Sequence, residues 1–150
     1  MNNNISRHEI REVAFQALFP LDFNADLEKK DAIEAVFEMD QTQWLSEDNS
    51  AFVPAYLDLL VEGVVAKKEE LDEIITSHLQ KNWTLKRIAK VDLVILRLAI
   101  FEMKFVDEED VPDRVALNEA LELAKKYSDD ASRKFINGVL SNVMQSLEEK

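Results

Sequence analysis

From Ile88 to Val106 the chain is apolar on nearly every side of a helix. Val91, Val94, Ile95, Leu98 and Ala99 fill one broad face, and Leu93, Leu96, Ile100, Phe101, Met103 and Phe105 cover most of the rest. A helix without a polar side has to be covered by neighbours almost all round. At 1.5 Å per residue it runs roughly 28 Å, about the width of a small domain. Lys90, Asp92, Arg97, Glu102 and Lys104 interrupt it, too many charges for a membrane span. The segment therefore reads as the central helix of a globular helical protein, with Trp83 leading into it. Two glycines and three prolines in 150 residues are too few for strands joined by tight turns. Apolar residues recur at helical spacing in almost every segment, so the expected class is all-α, about seven helices in one domain.

The first helix is expected to start after Ser6, with Glu9 completing a capping box and Ile10, Val13, Ala14, Ala17, Leu18 and Leu21 as its stripe. Pro20 is expected to kink or end it. A short helix over Lys29–Met39 offers Ala32, Ile33, Val36 and Phe37 to a core. Asp40–Asn49 reads as a loop with Trp44 and Leu45 tucked back. Ser50 can cap a third helix, with Pro54 near its first turn, Val53, Tyr56, Leu57, Leu60, Val61 and Val64 as its stripe, and Gly63 for close packing. The pattern changes phase near Lys67 and Lys68, which divides the domain into subdomains of about residues 1–67 and 68–150. A fourth helix over Lys68–Leu79 shows Leu71, Ile74, Ile75, His78 and Leu79. Pro112 opens a sixth, where Leu117, Ala120, Leu121 and Ala124 recur at the helical period, joined by Ala116, Leu123 and Tyr127. Ser128, Asp129 and Asp130 break the chain, one aspartate capping a last helix with the stripe Phe135, Ile136, Val139, Leu140, Val143, Met144 and Leu147.

The chemistry that the sequence excludes is as informative. There is no cysteine, hence no disulfide, thiol nucleophile or cysteine metal site. Two glycines cannot build a phosphate-binding glycine loop. His8 and His78 have no partner constellation, and His78, on an apolar face, reads as a core-edge histidine rather than a ligand. The carboxylates are scattered as on a solvated surface. A protein without catalysis, cofactor or metal is expected. The opening MNNNISRHEI has no apolar run, so no signal peptide is expected and the cytoplasm is the default location.

Net charge is −12, with nine acids against two lysines between residues 22 and 50. Such a chain repels nucleic acid at long range, which favours a protein partner unless a local basic or stacking site exists or a partner lends charge. Two stretches could supply such a site. In the first helix Arg7 and Arg11 lie one turn apart, and His8, Phe15 and Phe19 share the adjoining strip. Guanidiniums that hold phosphates beside rings that stack on bases suit single-stranded RNA. The same residues also fit two core phenylalanines flanked by solvated arginines. The second stretch is Ser132-Arg133-Lys134-Phe135, a basic pair beside an aromatic at the start of a helix whose amides favour a phosphate. Arg97, in the most buried helix, needs an acidic partner, and Glu119 or Glu122 is the expected one.

Four blocks of the sequence resemble the NusB family of bacterial transcription antitermination factors. They are Arg11-Glu12 through Gln16-Ala17-Leu18-Phe19; Trp83, Arg87-Ile88, Val91-Asp92, Ile95 to Ala99 and Phe101-Glu102-Met103; Val111-Pro112 with Leu117 to Ala120 and Glu122 to Lys125; and Lys134 to Leu140. In this order they cover nearly the whole chain. The resemblance implies an all-helical fold of two small bundles packed side by side. It also implies pairing with NusE, a small-subunit ribosomal protein. The pair would bind boxA, a short single-stranded element of ribosomal RNA transcripts, as part of an RNA polymerase antitermination complex. A basic ribosomal partner would supply the positive field that this acidic chain lacks. Carried onto this sequence, the implied RNA-binding residues are Arg7, His8, Arg11 and Phe19 with Ser132, Arg133, Lys134 and Phe135. His8 stands where the family often has arginine or lysine, Leu93 where arginine is common, and Ala131 where some members carry an acid. Asn118, Asn137 and Gly138 match the family strongly and read as packing and helix-contact residues. The alternatives are the NusB-like RNA-binding domain that precedes some ribosomal RNA methyltransferases and an acidic adaptor that binds only protein.

Overall fold

A computed structural model describes residues 6–39 and 53–148 of the chain. Those residues form α1 (Arg7–Phe23), α2 (Lys29–Met39), α3 (Ala55–Ala66), α4 (Lys68–Ser77), a 3-10 turn (Leu85–Arg87), α5 (Lys90–Phe105), α6 (Asp113–Tyr127) and α7 (Asp130–Glu148). No strand occurs among the described residues. The helices belong to two compact units, residues 1–65 and 66–150, divided two residues before the change of phase. The expected loop at residues 40–49, with Trp44 and Leu45, and the cap at Ser50 lie outside the described residues.

In the first unit the capping box forms as its residue types dictate. The Glu9 N–H donates to Ser6 Oγ at 3.0 Å, and the Ser6 N–H donates to Glu9 Oε1 at 3.1 Å. α1 buries Ile10, Val13, Ala14, Phe15, Ala17 and Leu18 and packs on α2, which buries Ala32, Ile33 and Val36. Pro20 does not end α1, which continues to Phe23, and the Asn24 N–H donates to the Pro20 carbonyl at 3.1 Å. A proline this close to the C-terminus removes one ladder bond where the ladder is about to stop. α3 buries Leu57, Leu60, Val61 and Val64. Lys29 links α2 to α3, with its Nζ 2.7 Å from Asp58 and 3.4 Å from Glu62. The hydrogen bond to Asp58 leads the effects that hold its ammonium above the ordinary lysine value.

The second unit is built on α5. Every residue from Asp92 to Met103 is buried, as the all-round apolar pattern requires. α4, α6 and α7 all pack on α5, and α6 packs on α7. Arg97 has a partner that the sequence reading did not name. Its guanidinium grips Asp72 of α4 with both prongs, Nε to Oδ1 at 2.7 Å and Nη2 to Oδ2 at 3.0 Å, while Glu122 is exposed on α6. Leu71 and Ile75 pin α4 to the core on either side of Asp72, which brings the carboxylate to α5. Lys104 adds a second link to α4, 2.9 Å from Glu70, and this hydrogen bond holds the Glu70 carboxyl below its ordinary value. α4 stops at Ser77, short of the expected Leu79. The half-buried His78 turns its Nδ1 onto the Ile74 carbonyl at 2.8 Å and satisfies the helix end. In α6 the buried face is Ala116, Ala120, Leu123 and Ala124, all within the expected apolar set, and Leu117 and Leu121 lie at its edge.

Candidate nucleic-acid interface

In the second unit three segments meet at the start of α7. The first is the capping turn. Asp129 Oδ1 accepts the Ser132 N–H at 2.8 Å, so Asp129 is the aspartate that caps the helix. The amide expected to favour a phosphate is therefore already bound by a carboxylate. The second is Asp92, buried at the first turn of α5. Its two oxygens accept hydrogen bonds from Ser128 Oγ at 3.0 Å and Ser132 Oγ at 2.7 Å. Asp92 thereby ties the α6–α7 turn to the central helix. Ser132, expected to meet RNA, spends its hydroxyl inside this tie and holds its neighbours Arg133, Lys134 and Phe135 in place.

The third segment is the turn before α5. Asn82 has a φ of 78°, a left-handed conformation that asparagine tolerates better than most residues. The chain thus reverses just before Trp83, whose ring lies on that of Phe135 with centroids 5.6 Å apart and planes inclined by 33°. Phe135 is half-buried and Trp83 is 43% exposed, so the indole is the outer ring of the stack. Sequence reasoning placed Phe135 here but not Trp83. The available signal was an aromatic between polar neighbours, Asn82 and Thr84, where no apolar stripe claims it. Beside the stack, Lys134 is exposed and Arg133 keeps a loose ion pair with Asp130 at 3.8 Å.

Past these cations a groove of about 570 Å³ runs between α6 and α7, lined by Asn118, Leu121, Glu122, Arg133, Lys134 and Asn137. Asn118 and Asn137 are exposed in it, which corrects their reading as packing residues. Gly138 is exposed as well, and beyond its chain neighbours and the nearby backbone of its own helix no atom of the described residues lies within 4 Å of the place a Cβ would take.

The other expected site residues lie in the first unit. Arg7 is exposed, its guanidinium 3.8 Å over the ring of Tyr56. That contact fixes the side chain and leaves its outer face open. His8 is exposed, whereas Arg11 is only 4% exposed and does not offer an open face. Phe15 is core and Phe19 is half-buried, edge-on to Phe23 at 5.1 Å. Charge separates the two units further. Residues 1–65 carry four lysines and arginines against 13 acids, and residues 66–150 carry 14 against 17. Among the described residues no group of His, Cys, Asp or Glu could hold a metal ion, and no helix is long and apolar enough to cross a membrane.

Residues 8–145 match the NusB family. The chain belongs to the NusB family. The transcription antitermination protein NusB of Enterococcus faecalis is 63% identical over 97% of this chain and 94% of its own length. That of Latilactobacillus sakei is 50% identical over 95% of this chain and 99% of its own. A chain in the crystal structure of the antitermination factors NusB and NusE in complex with dsRNA is 29% identical. It has a TM-score of 0.75 and covers 93% of this chain and 96% of that one. T. maritima NusB superposes with a TM-score of 0.76 at 30% identity, over 94% of this chain and 92% of its own. The all-helical NusB fold read from the sequence is the fold of this chain.

Proposed function

We propose that this chain is a transcription antitermination factor. With NusE it binds the boxA-type single-stranded RNA of ribosomal RNA transcripts and joins the RNA polymerase antitermination complex in the cytoplasm. It does so by binding, without catalysis. The family match and the name carried by its 63%-identical relative support the role. The observation that carries the RNA site is the exposed Trp83 stacked on Phe135 beside Arg133 and Lys134. An open aromatic face next to cations fits an unpaired base followed by its phosphate, whereas a duplex hides its bases and is met through backbone and shape. In this reading Trp83, Phe135, Arg133 and Lys134 touch RNA, and Ser132 positions them. Arg7, His8 and Phe19 are further candidate contacts, while Arg11 supports α1. The acidic charge of the chain makes a basic partner necessary for tight binding, which fits a ribosomal protein.

The test is fluorescence anisotropy of a labelled single-stranded boxA-type RNA, titrated with the chain with and without NusE. A scrambled strand and a duplex of the same sequence serve as controls. Selective binding of the single strand that tightens with NusE supports the proposal. Equal binding of all three RNAs removes the sequence-reading role. NusE binding with no RNA binding leaves a protein adaptor.

A further inference from the structure

Gly138 lies in the interior of α7, with no left-handed backbone angle to require a glycine. Glycine is the poorest helix former after proline, so its place there needs another reason. Close helix packing is the usual one, yet no atom of another described element lies within 4 Å of the missing Cβ and the residue is exposed. Among the described residues nothing uses the space that the absent side chain leaves.

Two features border that space. On a helix, residues three and four apart are neighbours on one face. Gly138 is three residues past Phe135 and four past Lys134. It therefore lies one turn beyond both the aromatic stack and the cation beside it. The groove between α6 and α7 begins at Arg133 and Lys134 and continues along Asn137, next to Gly138, and Asn118 across from it. A side chain at position 138 would stand as a post between stack and groove. Without one, the bare helix backbone joins them into a single surface.

We infer that the RNA strand passes from the Trp83–Phe135 stack across α7 at Gly138 into the groove between α6 and α7. There Asn118 and Asn137 meet base edges while Arg133 and Lys134 hold the backbone. The inference rests on the RNA-binding reading given above. An amide side chain offers both a donor and an acceptor, which suits the exposed edges of unpaired bases. Leu121 gives the groove an apolar patch for a base face, and Glu122 can accept from an exocyclic amino group. Groove and stack together take a strand longer than the stack alone.

The test replaces Gly138 with Gln in the full chain and measures RNA binding with NusE present. Unfolding temperature and NusE affinity are measured beside it. Because nothing is displaced, Gly138→Gln should unfold at the same or a higher temperature and bind NusE unchanged. Its affinity for the single-stranded RNA should fall about tenfold, and Gly138→Ala should lie between it and the wild type. Unchanged RNA affinity in Gly138→Gln, with binding still sensitive to Trp83→Ala, overturns the path across α7 and leaves the RNA reading intact. Loss of NusE affinity with RNA binding retained assigns the groove to the protein partner and also overturns it. Absence of RNA binding by the wild type overturns both together.

Discussion

Trp83 and Phe135 form one stack, but they stand in different places in the fold. Phe135 is half-buried on α7 beside the apolar stripe, so its loss would disturb packing as well as binding. Trp83 sits in a turn with 43% of its surface open, so its loss should separate the two effects. Base–aromatic stacking contributes about 1–3 kcal/mol per base. Trp83→Ala is expected to weaken RNA binding by roughly 5–150-fold, with little change in the urea midpoint. Arg97 and Asp72 give the opposite pattern, a contact with no role at the surface. Removing one partner of a buried ion pair costs about 3–5 kcal/mol, because the other charge stays behind in the core. Asp72→Ala should lose stability near the lower end of that range, since the carboxylate is partly open to water, and the double variant Asp72→Leu, Arg97→Met should recover part of the loss. Urea unfolding checks both. At this scale the sequence was only partly legible. That Arg97 needed an acid followed from the apolar residues around it. That Asp72 would supply one did not, because it lies on another helix, 25 residues back in the chain.

Helices were the most legible level, and the reason is periodic. Burial recurs at 3.6 residues, and caps are chemical, so Ser6, Glu9 and an aspartate before α7 announced their roles without any tertiary information. What periodicity cannot fix is the rotation of a helix by one position. On α6 that leaves Leu117 and Leu121 at the edge of the buried face, and Asn118, Leu121 and Glu122 form one wall of the groove. The placement of α7 depends on a different kind of contact, the Asp92 carboxylate with its two serine hydroxyls. A hydrogen bond to a charged group contributes about 1.5–3 kcal/mol. Ser132→Ala should lower stability by about that amount. It should also weaken RNA binding beyond the effect of unfolding alone, because Arg133, Lys134 and Phe135 lose their anchor. Denaturant titration and RNA titration of the same variant distinguish the two. At the start of α6, burial, then Glu108 and Glu148, raise the Asp113 carboxyl above its ordinary value of 3.8. Folding thus favours its protonated form. The stability linked to Asp113 is complete below pH 3.8 and is lost as pH rises through the raised value. Asp113→Asn should therefore be more stable than the wild type at neutral pH, with the gap closing as the pH is lowered below that ordinary value. Urea midpoints across the acid range measure it.

For the whole molecule the governing quantity is charge and where it lies. The chain carries −12 overall, and most of the deficit of cations belongs to residues 1–65. The stack and groove belong to the other unit, where cations and acids nearly balance. RNA held there meets a few local cations within an acidic field, so affinity in the absence of a partner has to come largely from stacking and base edges. Stacking depends weakly on salt, whereas each neutralised phosphate releases counterions and adds about 0.7 to the slope of log affinity against log salt for a single strand. If Arg133, Lys134 and one or two further cations are the contacts, the chain alone should show a slope of about −2 to −3. A basic ribosomal partner adds phosphate contacts of its own, so the slope of the complex should be steeper by about 0.7 for each one. Anisotropy titrations from 50 to 300 mM salt, roughly the span over which such slopes are resolved, give both numbers. Equal slopes with tighter binding would mean that the partner orders the RNA site without touching phosphate. A steeper slope that Lys134→Ala lowers by about 0.7 in the chain and in the complex alike would assign that lysine to the same phosphate in both.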